Sequence, residues 1–141
     1  MVCLDANVWI YFLDAELDEH TAVEGDVRTV LREEPVFTTT VLQMEVAHYL
    51  SNQLAESETA IDRFLALEDV TVADLTGADV AAATELVADH GDTGIGGRDA
   101  TVVAAMDRYD VTRLWTHDEG LLRLGNALPW LDVVDPVSRE S

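Results

Sequence analysis

Four acidic residues, Asp5, Glu45, Asp99 and Asp118, stand where carboxylates are hardest to justify. Each is set in apolar sequence: Val2-Cys3-Leu4-Asp5, Leu42-Gln43-Met44-Glu45-Val46-Ala47, Asp99-Ala100-Thr101-Val102-Val103 and Leu114-Trp115-Thr116-His117-Asp118. A carboxylate drawn toward a core needs a partner. With few basic residues nearby, a divalent metal is the partner of matching chemistry. A carboxylate-held metal points to a reaction, most often on a phosphate.

The elements that must position these acids are short apolar strands alternating with amphipathic helices. Strands are predicted at residues 2–4, 36–39, 70–73, 113–116 and 131–134. Helices are predicted at residues 8–13, 21–34, 40 to about 54, 58–67, 77–89, 98–109 and 119–124. Pro35 stops the second helix, and Thr40 with Gln43 fits a capping box for the third. The loop at 91–97, Gly-Asp-Thr-Gly-Ile-Gly-Gly, opens onto the helix that carries Asp99. Strands separated by helices imply α/β architecture, a parallel sheet of about five strands covered on both faces.

Each acid has an ordinary explanation as well. Asp5 and Asp118 follow strands, where ligands bind in open α/β sheets, but an Asp at such a junction also makes a good N-cap. Thr116 and Glu119 fit a capping-box spacing of their own. Asp99 lies in a first turn, where it complements the helix dipole, although Val102, Val103 and Met106 place it beside a buried stripe. Glu45 is past the first turn, with Val41, Leu42, His48 and Tyr49 as face-mates. No cap or dipole role accounts for it; the alternative is a solvated helix face. His48, one turn away, could support Glu45 or pack in the core. Alternation puts Thr116 and Asp118 on one side and His117 on the other, which makes His117 a packing or surface residue.

The 141 residues are enough for one domain with a real core. No apolar run approaches the roughly 18 residues of a membrane span, and the start has no basic segment of a secretory signal, so a cytoplasmic protein is expected. Cys3 is the only cysteine, which excludes an intrachain disulfide and a cysteine-rich zinc module. The net charge is −20, and all eight basic residues are Arg. The charge reads as an acidic partner surface that avoids nucleic acid or, since the acids are spread along the whole chain, as adaptation to high salt, where carboxylates maintain hydration and solubility. The Debye length falls to about 3 Å at 1 M salt, so the charge does not exclude a nucleic-acid substrate. The absence of Lys removes Walker A and protein-kinase chemistry.

Taken together, Leu4-Asp5-Ala6-Asn7-Val8, Glu45 on the helix after the second strand, Asp99-Ala100 and Thr116-His117-Asp118 resemble a PIN-domain ribonuclease, specifically the VapC-type toxin of a toxin–antitoxin pair. The resemblance covers essentially the whole chain in order, spacing and context. It implies a PIN-like α/β/α sandwich over residues 1–141 and an acidic quartet at Asp5, Glu45, Asp99 and Asp118, serving as catalytic residues and metal ligands. Asn7 would orient Asp5 by hydrogen bonding, and Thr116 would supply the hydroxyl of the Thr/Ser-x-Asp motif.

Clustered carboxylates stay ionised only with compensating cations, and hard oxygen ligands select Mg²⁺ or Mn²⁺. The expected activity is hydrolysis of RNA phosphodiesters to 5′-phosphate and 3′-hydroxyl ends, through one or two ions. Arg98 could meet a phosphate or lie on the surface. The resemblance also implies a tRNA or ribosomal RNA substrate, a homodimer, and a small antitoxin laying a helix in an apolar groove, for which Trp9, Tyr11, Phe12 and Leu13 are candidates or simply core. The rival readings are a housekeeping PIN nuclease in RNA processing and a non-catalytic acidic module that binds a metal or partner.

Overall fold

Val2, Cys3 and Leu4 are wholly buried, as an uncharged apolar segment should be at the centre of a sheet covered on both faces. They form β1 (Val2–Leu4) in a computed structural model that describes residues 1–53 and 55–138. The chain continues through α1 (Ala6–Leu13), α2 (His20–Glu33), β2 (Val36–Thr39), α3 (Thr40–Gln53), α4 (Ser57–Leu65), β3 (Val70–Ala73) and α5 (Gly77–Asp89). A 3₁₀ turn at Gly91–Thr93 leads to α6 (Gly97–Arg108), β4 (Arg113–Trp115), α7 (Glu119–Ala127) and β5 (Asp132–Val134).

The strands form one parallel sheet in the order β3-β2-β1-β4-β5. Strand order therefore runs outward from β1 to β3 and resumes on the other side at β4. In the register, Leu4 pairs with Trp115, so the carboxyl ends of β1 and β4 lie side by side at this reversal. Open α/β sheets hold their ligands in the crevice there.

The helices sort accordingly: α1 packs on α2 and α3, α3 on α4, and α5 on α6. Right-handed crossovers place the first group on one face and the second on the other. The α6 helix is the most enclosed, with Ala100, Val102, Val103, Ala104, Ala105 and Met106 all buried. Among the described residues no helix is long and apolar enough to cross a membrane.

Two expectations need correction, at the start of α3 and at the end of α7. The capping hydroxyl of α3 belongs to Thr39, whose Oγ1 accepts from Leu42 N at 3.1 Å; Thr40 Oγ1 instead accepts from Leu75 N at 3.2 Å. The helix predicted to reach about residue 54 ends at Gln53 in the described chain, and Leu54 lies outside the described residues. The α7 helix continues to Ala127 rather than ending at 124. Gly125 is why it packs: a Cβ there would come within 2.6 Å of Val133 Cγ2.

Candidate functional site

Asp5 leaves β1 with its backbone still in the sheet, its N–H donating to Trp115 O at 2.9 Å. The side chain, 5% exposed, then divides its two oxygens. Oδ1 accepts from Ala6 N at 2.8 Å and caps α1. Oδ2 accepts from Thr116 Oγ1 at 2.6 Å. Thr116 is completely buried, and its Oγ1 accepts in turn from Asp118 N at 3.0 Å. The run from Asp118 N–H through the Thr116 hydroxyl to the Asp5 carboxylate thus ties the ends of β4 and β1 together.

Asp118 caps α7, Oδ2 accepting from Leu121 N at 3.0 Å. Capping and site geometry coexist at Asp5 and Asp118, because a cap engages one oxygen of each carboxylate. The capping box proposed for Thr116 and Glu119 is not formed. Thr116 serves Asp5, and Glu119 pairs with Arg123 at 3.1 Å.

Asp99 stands in the first turn of α6, behind Gly96, which caps that helix without a side-chain hydrogen bond. No described residue donates a hydrogen bond to its carboxylate. Burial first, then the charges of Asp5, Asp118 and Glu45, push its pKa up to about 7, with Arg98 opposing. Glu45, on the second turn of α3, is raised by burial and by Asp5 and lowered by Arg98. Burial also raises Asp5, against the hydrogen bonds from Thr116 and Ala6, and Asp118 adds to the rise. The structure thus brings all four acids into one electrostatic field. Among the described residues Arg98, whose Nε lies 3.8 Å from Glu45 Oε1, is the one cation felt there.

Among the described residues no three acid, imidazole or thiolate groups converge tightly enough to enclose an ion by themselves. The donors are all hard carboxylate oxygens carrying uncompensated negative charge. They fit Mg²⁺ or Mn²⁺, which bind through one or two carboxylates and leave other positions to water or phosphate.

The donors to Asp5 among the described residues are Ala6 and Thr116, and Asn7 is engaged elsewhere. Its Oδ1 accepts from His117 N at 3.3 Å, which fastens α1 to the loop after β4. His117 points away from the acids, with Nδ1 2.9 Å from Asp135 Oδ2 and its ring edge-on to Tyr11. His48 is exposed and contacts Asn52 Nδ2 at 3.1 Å, so it neither supports Glu45 nor fills the core.

Sequence reasoning passed over Gly120 and Arg123. A Cβ at Gly120 would meet Asp118 Oδ2 at 3.1 Å and Gly94 O at 3.3 Å, and Gly94 itself has φ 82°, a conformation natural to glycine. Arg123 Nη1 donates to Thr93 O at 3.2 Å. Together they hold the loop ahead of Asp99 against α7; the only sequence signal was the density of glycine.

The candidate groove residues divide. Trp9 is 1% exposed and packs edge-on against Phe64. With Phe12, Leu13 and residues of α4 it lines a groove of about 210 Å³. Tyr11 faces His117 instead.

The sequence pattern of the PIN domain matches residues 2–127, and the chain belongs to the PIN domain family. Among curated protein sequences none matches significantly. Several solved structures share this fold. VapC20 from Mycobacterium tuberculosis, a sarcin–ricin loop cleaving toxin, superposes with a TM-score of 0.74 at 17% identity, over 89% of this chain and 95% of that one. FitAcB from Neisseria gonorrhoeae gives 0.71 at 16% identity, over 96% and 98%. VapBC2 from Rickettsia felis, bound to promoter DNA, gives 0.68 at 16% identity, over 96% and 98%.

Proposed function

We propose that this PIN domain is a Mg²⁺- or Mn²⁺-dependent endoribonuclease and the toxin of a type II toxin–antitoxin pair. The observation that carries the reading is the shared field of Asp5, Glu45, Asp99 and Asp118 at the strand-order reversal. Burial first, and then that field, lift the Asp99 carboxyl to about 7, and among the described residues Arg98 is the opposing charge. So costly an arrangement of acids is what a cation-dependent phosphate site requires.

Asp5, Asp99, Glu45 and Asp118 would hold the cation, which when bound neutralises phosphate charge and acidifies a water. The chain's own contribution is positioning. Thr116 and Ala6 fix Asp5 in one orientation, one donor on each oxygen. Asp118 keeps Oδ1 clear of its cap. Asp99, with no hydrogen bond from a described residue, is the carboxylate best able to take a ligand or hold a proton. Arg98 stands at the rim, where its guanidinium can pair with a substrate phosphate.

The expected products carry 5′-phosphate and 3′-hydroxyl ends, and the expected substrates are tRNA or ribosomal RNA. The toxin assignment draws on the solved structures of the same fold, among which VapC20 is a sarcin–ricin loop cleaving toxin and another is a toxin–antitoxin complex from Klebsiella pneumoniae. For this chain it implies an antitoxin helix in the Trp9, Phe12, Leu13 groove, a homodimer, and a cytoplasmic setting at high salt. Induced expression followed by sequencing of cellular RNA ends tests the reading. A few defined cut sites with 5′-phosphates support it, and an RNA population identical to that of an Asp99→Asn control refutes it.

A further inference from the structure

Beside Glu45 the surface changes character. Met44 is 70% exposed and Leu75 46% exposed. With Thr40 and Val41 they form an apolar shelf of about 450 Å³ bordered by Glu45 and Arg98. Two large apolar side chains left in water are conspicuous on a chain of net charge −20. The shelf is also fixed: Leu75 N–H donates to Thr40 Oγ1 at 3.2 Å, which pins the chain after β3 onto the start of α3. A second apolar groove, between Val80, Ala83, Val87 and Thr101, is larger, but no charged group borders it and nothing indicates what covers it.

We propose that the Met44–Leu75 shelf seats an unstacked nucleobase of single-stranded RNA, with Arg98 engaging the adjoining phosphate; this rests on the ribonuclease reading above. A base is flat, uncharged and largely apolar on its face, so it covers Met44 and Leu75 without burying Glu45 beside an apolar partner. Its phosphate supplies the negative charge that the exposed Arg98 guanidinium lacks, since Glu45 meets it only at 3.8 Å. A paired base in a duplex cannot reach the shelf, so the site selects loops and unpaired stretches.

The charge of the whole molecule strengthens the case. Most RNA-binding proteins gain affinity by releasing counterions from phosphates, a term that shrinks as salt rises. A chain with no Lys and a charge of −20 gains little from it. Removing a base face from water against apolar side chains draws on the hydrophobic effect, which does not depend on net charge.

The test uses the full chain in molar KCl with Mg²⁺ and an unstructured oligoribonucleotide of about 12 nucleotides, carrying 4-thiouridine at each position in turn. Photo-cross-links should map to Met44, Leu75 or their neighbours. Replacing both residues (Met44→Ser with Leu75→Ser) should weaken binding about tenfold, while a duplex of the same sequence binds both proteins equally weakly. Three results overturn the proposal: no RNA binding, cross-links elsewhere with unchanged affinity of the double variant, or conversion of a dimer to a monomer by the substitutions, which would make the shelf a protein interface. Cleavage by wild type and by Asp99→Asn, measured in parallel, keeps the two ideas apart. Cleavage lost in Asp99→Asn but indifferent to the shelf leaves the nuclease standing alone, and base binding without cleavage leaves only the shelf.

Discussion

At the scale of single residues, Thr116 does more than its type suggests. One buried hydroxyl donates to Asp5 and accepts from Asp118 N–H, so two acids depend on one side chain. Thr116→Val keeps the shape and leaves both partners unsatisfied. It should cost about 1–2 kcal/mol in urea unfolding and reduce metal-dependent cleavage at least about tenfold. Asp99 pulls stability the other way. Its folded carboxyl titrates near 7, so below that pH the folded state holds a proton that the unfolded chain has released. Stability of the metal-free protein should therefore fall as pH rises from about 4 to about 7. Asp99→Asn removes that penalty. Its melting temperature should exceed that of the wild type by about 2–4 °C at pH 8 without metal, and the gap should close near pH 4. An unchanged or lower value at pH 8 would show that neither burial nor the neighbouring acids penalise the ionised Asp99.

At the scale of elements, Asp79 and Arg108 hold α5 to the end of α6. Arg108 donates through Nε and Nη2 to the two oxygens of Asp79, at 3.0 and 2.9 Å, while Asp79 completes a capping box with Thr76. Arg108 holds the Asp79 carboxyl below the ordinary carboxylate range, with Thr76 assisting against burial. That stabilisation is complete above the ordinary carboxylate pKa and disappears as pH falls through the lowered one. Asp79→Ala should lose about 2–3 kcal/mol at pH 7, and less in strong acid, when unfolding by urea is compared at the two pH values.

The sequence contained no hint of this pair, which joins residues 29 positions apart. What could be read from the sequence was periodic: the strands at Val36–Thr39 and Val70–Ala73 and the helix Gly77–Asp89 agree residue for residue with the apolar pattern. The Thr39 cap was misread as Thr40 because both are threonines at the junction, and only the Thr40–Leu75 contact distinguishes them. The quartet was visible because each acid contradicts its surroundings. The tasks of Asn7, Gly120 and Arg123 were not, because each acts on backbone distant in sequence.

At the scale of the molecule, the charge of −20 with no Lys is a property of the whole surface. Self-repulsion among these acids is screened within about 3 Å at 1 M salt and over about 30 Å at 0.01 M. The proposed high-salt setting therefore predicts a melting temperature that rises steeply from dilute buffer to multimolar KCl, followed by circular dichroism; equal values would contradict it. Screening also reconciles a strongly acidic protein with the proposed polyanionic substrate. The central claim is that Asp5, Glu45, Asp99 and Asp118 form a cation-dependent RNA-cleaving site. Its most direct test is cleavage of tRNA and ribosomal RNA in molar KCl, by wild type and Asp99→Asn, with Mg²⁺ or Mn²⁺ and with excess EDTA. The account predicts 5′-phosphate ends from the wild type with metal, none with EDTA and none from Asp99→Asn. Cleavage by Asp99→Asn at the wild-type rate, or wild-type cleavage that survives EDTA, would contradict it.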